Sequence, residues 1–165
     1  MSGREKGRDD MVWKEVTQEE LERGLKETCA RLIEMSKGTV WADMRPELVS
    51  CDVNERTCVV AFEVQPWMGN PVGVLHGGMM ATAMDIAMGM GTIFWSDGCF
   101  TPSISLQVNY ARPVPLGKRL LVRGKVDHAG RTMCCASGTA WAEDTPDKTA
   151  ATATGVYFVD RGEQN

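Results

Sequence analysis

Residues 70–95 read NPVGVLHGGMMATAMDIAMGMGTIFW, and this stretch decides the fold. Asp85 is the only formally charged residue between Pro66 and Trp95. From about residue 75 to residue 94 the sequence has no polar face, and a helix that is apolar all round is normally buried all round. Its many glycines and alanines allow other backbone to approach closely. We therefore expect a central apolar helix that needs other elements to surround it.

The segments on both sides of this helix predict the strands that would surround it. Alternating residues and turn signals predict strands at 48–52, 57–64, 103–110, 120–127, 132–143 and 149–158. The links at 128–131 and 144–148 are short enough for hairpins, so the sheet is expected to be mostly antiparallel. Upstream, Thr17 and Glu20 fit a capping box that opens an amphipathic helix ending near Gly38. This order of elements predicts an α+β domain in which a curved sheet wraps around the central helix.

Length and composition predict one globular domain. The chain has 165 residues, 43% hydrophobic and 24% charged, and we expect a flexible tail at 1–12 before a single domain at 13–160. A formal net charge of −4 argues against a broad nucleic-acid-binding face. The six cysteines include no C-x-x-C pair and there are only two histidines, so no metal site is expected. The charged N-terminus and the lack of a long apolar span predict a cytoplasmic protein with free thiols and no membrane contact.

Asp85 and the glycines ahead of it carry the chemistry that the sequence suggests. A carboxylate in an apolar helix is costly unless it is hydrogen-bonded, paired or protonated, and burial tends to raise the pKa of such a group toward that of a general base. Gly77 and Gly78 stand at the expected helix start, where backbone N–H groups lack partners and the helix dipole is positive. These donors could stabilise negative charge that develops on a carbonyl oxygen.

The pattern resembles a known family. Asn70 to Gly78, followed by Asp85 nine residues after His76 and by the alternating strand at 103–110, is similar to the hotdog-fold acyl-CoA thioesterases. The closest branch is the phenylacetate-pathway and mammalian thioesterase-superfamily type, and the likeness covers roughly residues 45–160. The resemblance implies a hotdog thioesterase domain that hydrolyses acyl-CoA to a free acid and coenzyme A without a cofactor. It also implies a homodimer or a homotetramer (a dimer of dimers), between which the sequence does not distinguish.

The resemblance assigns roles to particular residues. Gly77 would polarise the thioester carbonyl through its amide, and Asp85 of the other subunit would act as general base or nucleophile. Asn70 and Ser103 match positions that orient the carbonyl and the water, while His76 would orient the turn or touch the thioester. The substrate-binding candidates are Gly78, Trp67, Met68, Arg112, Gly130 and Arg131. Arg112 and Arg131 would lie near the coenzyme phosphates, and Trp41, Trp67 and Trp95 are candidate walls of an acyl tunnel.

Several alternatives remain open from the sequence. Asp85 could be a satisfied structural carboxylate, and the glycines could serve packing. The chain could also be an acyl-CoA-binding hotdog sensor without turnover. A hydratase or dehydratase on the same fold would pair a catalytic histidine with a carboxylate, and this chain offers His76 and His128. Acyl chain length, aromatic or aliphatic preference, and coenzyme A or acyl carrier protein as the carrier are not specified by the sequence.

Overall fold

The computed structural model describes residues 13–162, and the expected tail at 1–12 lies outside this range. The helices are α1 (Gln18–Met35), α2 (Val40–Asp43) and α3 (Gly77–Trp95), with a 3-10 turn at Pro66–Met68. The strands are β1 (Glu47–Asp52), β2 (Thr57–Glu63), β3 (Ser103–Tyr110), β4 (Arg119–Ala129), β5 (Met133–Ala142) and β6 (Thr149–Phe158). They form one six-stranded sheet in the order β1-β2-β4-β5-β6-β3, and every neighbouring pair is antiparallel.

Helix α3 lies at the centre of the domain, as the sequence predicts. It packs against β2, β3, β4, β5 and β6, so the sheet surrounds most of it. Strand β4 approaches the α3 backbone closely at Gly124, where an added Cβ would lie only 2.7 Å from the carbonyl oxygen of Ala87. This contact requires glycine, because the obstacle is backbone and cannot rotate away. The expected α+β hotdog architecture is confirmed.

Helix α1 covers one side of the sheet and follows its predicted pattern. Thr17 and Glu20 form the capping box, with Thr17 Oγ1 accepting from the Glu20 N–H at 3.2 Å. Leu21 and Leu25 are buried against β1 and α3. The helix ends at Met35, slightly before the positive-φ glycine that the sequence indicates as its end. No helix within residues 13–162 is both long enough and apolar enough to cross a membrane.

One face of α3 departs from the prediction. Met84 and Met88 are fully buried, whereas Gly78 is exposed and Asp85 and Gly89 are only half-buried. These three positions share one side of a helix, and the sheet does not cover that side. The prediction that α3 is buried all round is therefore wrong for the single chain. The open face runs beside β3, an edge strand whose other side has no strand neighbour in the described sheet.

Candidate active site

The start of α3 carries a free backbone donor. His76 is the N-cap, and its Nδ1 accepts the Gly78 N–H at 2.9 Å. The His76 carbonyl accepts the N–H groups of Met79 and Met80. Within the part of the chain that the structure describes, the Gly77 N–H has no acceptor. Of the two glycines singled out by the sequence, Gly77 is thus the one whose amide is free at the positive end of the helix.

The loop before the helix is held by Asn70. Its side-chain Oδ1 accepts the N–H groups of Val72 at 3.1 Å and Val74 at 3.2 Å, which fixes the turn that delivers the chain to His76. Tyr110, at the end of β3, supports the helix start from the other side. Its hydroxyl donates to the Gly77 carbonyl at 3.0 Å, and a Cβ added at Gly77 would lie 3.5 Å from a carbon of its ring. The sequence analysis did not identify Tyr110.

Asp85 is held by two hydroxyl groups on one of its oxygens. Ser103 Oγ donates to Asp85 Oδ1 at 2.7 Å, and the Tyr157 hydroxyl donates to the same oxygen at 3.1 Å. No donor within residues 13–162 reaches Oδ2. Burial raises the pKa of Tyr157 far above its ordinary value, and the nearby Asp85 carboxylate raises it further, so the phenol stays protonated and donates. Sequence reasoning missed Tyr157.

The two parts of the site do not meet within one chain. Gly77 and Asp85 are eight residues apart on α3, which places them about 12 Å apart along the helix axis. Strand β3 runs between the two parts, with Tyr110 at the Gly77 end and Ser103 at the Asp85 end. A short aspartate side chain cannot span that separation. We call the two parts the amide half (Gly77, Tyr110) and the carboxylate half (Asp85, Ser103, Tyr157).

Each half opens into a cavity. The one at the carboxylate half has a volume of ≈ 470 Å³ and mostly apolar walls. Its apolar lining includes Leu32, Trp41, Ile86, Met90, Ile93 and Phe100. The cavity at the amide half, ≈ 300 Å³, is lined by Gly77, Tyr110 and Arg112 among others. Of the predicted tunnel tryptophans, Trp41 lines the larger cavity, Trp95 packs edge-on against Trp13 in the interior, and Trp67 lies 48% exposed on the surface.

The remaining predicted substrate-binding residues occupy different places. Met68 is fully buried in the core and has no surface to offer a ligand in the single chain. Arg112 is exposed at the amide half, and its guanidinium donates to the Thr149 carbonyl at 2.7 Å. Gly130 and Arg131 lie in the β4–β5 turn at the opposite end of the sheet, beside the carboxylate half. Arg112 therefore lies beside the amide half, and Arg131 lies beside the carboxylate half.

Comparison with protein families gives a match over the middle of the chain. The sequence model of the thioesterase superfamily matches residues 72–148. The chain is 34% identical over 73 residues to acyl-coenzyme A thioesterase THEM4 of Xenopus laevis, which covers 44% of this chain and 32% of that protein. It is 28% identical over 90 residues to acyl-coenzyme A thioesterase 13 of Mus musculus, covering 54% of this chain and 63% of that protein. The chain thus spans less than two thirds of the length of these curated relatives.

Solved structures extend the likeness to most of the chain. Zebra fish thioesterase superfamily member 2 superposes with a TM-score of 0.70 at 21% identity, over 88% of this chain and 99% of that one. PaaI of E. coli gives a TM-score of 0.67 at 20% identity, over 84% and 97%. At these identities the likeness concerns the fold alone. A Streptococcus mutans protein bound to acetyl CoA is 29% identical, with a TM-score of 0.61 over 70% of this chain and 88% of that one.

Proposed function

On the premise that the chain has the hotdog fold of the thioesterase superfamily, we propose that it hydrolyses acyl-CoA thioesters to a free carboxylic acid and coenzyme A. The observation that carries this proposal is the Asp85 carboxylate, which is oriented by two hydroxyl donors at the mouth of an apolar cavity. One carboxylate oxygen is left for a water molecule or for the thioester carbon. The names of the THEM4 and thioesterase 13 relatives support the same reaction class.

The chemistry needs a donor for the carbonyl oxygen and a base or nucleophile for the carbonyl carbon. The free Gly77 N–H is the proposed donor, because it stands unpaired at the positive end of α3. Asp85 Oδ2 is proposed to take a proton from water as the water attacks, or to attack the carbon itself. When water attacks, the adduct loses its C–S bond, the proton taken up by Asp85 passes to the departing thiolate, and the water oxygen stays on the carbon as the free acid. When Asp85 attacks, C–S cleavage releases the thiolate and leaves a mixed anhydride on Asp85. Water then hydrolyses that anhydride to the free acid and the Asp85 carboxyl, whose proton neutralises the thiolate.

We propose that two copies of the chain share the site. The separation of about 12 Å between the two halves along α3 supports this, because a second copy in antiparallel orientation can place its carboxylate half against the amide half of the first. The uncovered face of α3 and the free edge of β3 offer the surface for such pairing. A homodimer is the minimal assembly, and a homotetramer of two such dimers remains our proposal for the larger one.

In the shared arrangement, two arginines from different copies would lie at the same site. Arg112 accompanies the amide half and Arg131 the carboxylate half, so pairing would bring one from each copy to the same site. Both are exposed and could contact coenzyme phosphates. The ≈ 470 Å³ cavity beside Asp85 is proposed to take the acyl group. All six cysteines are free thiols, which supports a reducing compartment, and the cytoplasm is our proposed location.

The histidine geometry favours hydrolysis over hydratase chemistry. His76 Nδ1 already accepts the Gly78 N–H, so the neutral ring carries its proton on Nε2. A ring in that state donates a hydrogen bond and does not abstract a proton. His128 lies on β4 near the β4–β5 turn, and neither Asp85 nor Gly77 bonds to it. Asn70 and His76 are therefore proposed to shape the helix start rather than to transfer protons.

The test is a panel of acyl-CoA thioesters, short, long and aromatic, assayed by release of the free thiol. We expect the wild type to turn over at least one class and Asp85→Asn to lose turnover by about 10²–10⁴-fold while still binding the substrate. Asp127→Asn, an exposed aspartate on β4, is the matched control and should keep wild-type activity. Tight binding of acyl-CoA with no turnover of any member of the panel would contradict the proposed hydrolase activity and favour a non-catalytic acyl-CoA sensor.

A further inference from the structure

The two hydroxyl groups that bond Asp85 differ in how firmly they are held. Ser103 is exposed on edge strand β3, next to a register shift in its pairing with β6. Tyr157 is only 1% exposed and projects from β6, an interior strand of the sheet. Its ring packs on Gly155, where an added Cβ would lie 2.9 Å from a ring carbon. The glycine leaves room for the ring, and the surrounding core fixes its direction.

We propose that Tyr157 is a positioning residue for the thioester hydrolysis, fixing the orientation of the Asp85 carboxylate through a hydrogen bond from a buried hydroxyl. This inference rests on the proposed function. A donor on Oδ1 fixes the direction of the carboxylate and leaves Oδ2 without a protein donor within residues 13–162. Ser103 adds a second donor on the same oxygen, from an edge strand whose register shifts beside it.

The surroundings give the pair no competing charged partner. The other residues that line the cavity beside Asp85 come from α1, the turn that follows it, α2, α3 and the segment at 100–103, and all of them are uncharged. Burial, and then the Asp85 carboxylate, raise the pKa of the Tyr157 phenol far above its ordinary value, so the phenol keeps its proton over the whole pH range of an enzyme assay. A fall in kcat on removal of this hydroxyl would therefore report on the donor to Asp85.

The experiment compares Tyr157→Phe with wild type. The variant keeps the buried ring and removes only the donor, so we expect kcat to fall by about tenfold and KM to change little. This split between kcat and KM distinguishes a misdirected carboxylate from a loss of substrate binding. Thr154→Val is the control, because it removes an exposed hydroxyl from the same strand that makes no hydrogen bond to Asp85. Its kcat and KM should both stay at the wild-type values.

The outcomes separate this inference from the proposed function. A folded wild type that hydrolyses no thioester would refute both. An active wild type with an inactive Asp85→Asn, but with wild-type kcat in Tyr157→Phe, would refute the role of Tyr157 alone. Ser103→Ala serves if Tyr157→Phe does not fold, because Tyr157 then remains the donor to Oδ1. We expect Ser103→Ala to retain about a tenth or more of wild-type kcat, and a loss as deep as that of Asp85→Asn would overturn the proposal.

Discussion

Replacing Gly77 by proline would delete the free amide at the start of α3 without disturbing the helix. Gly77 is the first residue of α3, where proline fits because its fixed φ suits the helix and no intrahelical bond is lost. His76 has φ −64° and ψ 137°, the extended conformation that the residue before a proline adopts. A Cβ at position 77 would lie 3.5 Å from the ring of Tyr110, which is an ordinary contact.

The expected effect follows from the loss of one oxyanion donor. Gly77→Pro should lower kcat by about 10²–10³-fold, which corresponds to about 2.7–4 kcal/mol of transition-state stabilisation. Gly77→Ala is the control that keeps the N–H and adds a similar Cβ contact, so its loss should be far smaller. Both variants are assayed by thiol release at saturating acyl-CoA, and circular dichroism checks that α3 is retained.

A mixing experiment then tests whether the site is shared. A symmetric dimer has two sites, and each would take Gly77 from one copy and Asp85 from the other. When Gly77→Pro and Asp85→Asn chains are co-expressed with different tags, random pairing makes half of the dimers mixed, and each mixed dimer has one intact site. The mixture should therefore recover about a quarter of the wild-type activity, although each variant alone is nearly inactive.

Three results would refute the reasoning. Mixed dimers captured through both tags that show no more activity than the separate variants would place the site within one chain. Full activity in Gly77→Pro would remove the amide from the mechanism altogether. A monomeric wild type in solution, measured by light scattering at assay concentrations, would also exclude the shared site.

Three further predictions concern packing, protonation and substrate size. Gly124→Ala should lower the free energy of unfolding by about 3 kcal/mol, because its Cβ would meet the Ala87 backbone. Gly138→Ala is the control and should lower it by about 1 kcal/mol, because its Cβ would meet only flexible methionine side chains. Urea unfolding measures both. Burial raises the pKa of the Cys58 thiol from 9.0 to about 12, so folded Cys58 keeps a proton that the unfolded chain releases. Stability should fall as pH rises through that window, and Cys58→Ala should make the fall shallower. Trp41→Ala should enlarge the cavity beside Asp85 and shift kcat/KM toward bulkier acyl groups.

The sequence predicted the fold well because its signals are local and consistent. The predicted bounds of β3 and β6 are those observed, since alternation and the flanking turn residues mark both ends. Helix α3 begins at residue 77 and not at 75, because the Leu75 N–H bonds the Val114 carbonyl in an extended segment. Helix α2 was not predicted, because four residues are too few to show a helical period. Trp41, which lines the cavity beside Asp85, lies on this helix.

The site was less predictable because it depends on contacts between distant parts of the chain. Alternation along β6 indicates that Tyr157 faces the core, but it does not indicate that its hydroxyl meets a residue 72 positions earlier. The exposure of Asp85 was misjudged for a related reason. Glycine and alanine count as apolar in any hydropathy pattern, so an uncovered face of small residues has the same signature as a face packed in the core.

The uncovered face of α3 links the fold to the chemistry. A helix rises about 1.5 Å per residue, so the spacing between Gly77 and Asp85 already prevents one chain from bringing both to the same carbonyl group. The structure adds that each residue has its own hydroxyl support, cavity and nearby arginine, so each half is organised within the single chain. Asp85 Oδ2 and the Gly77 N–H are the groups of these halves left without a protein partner within residues 13–162. Their use on one carbonyl group requires the second copy of the chain that we propose.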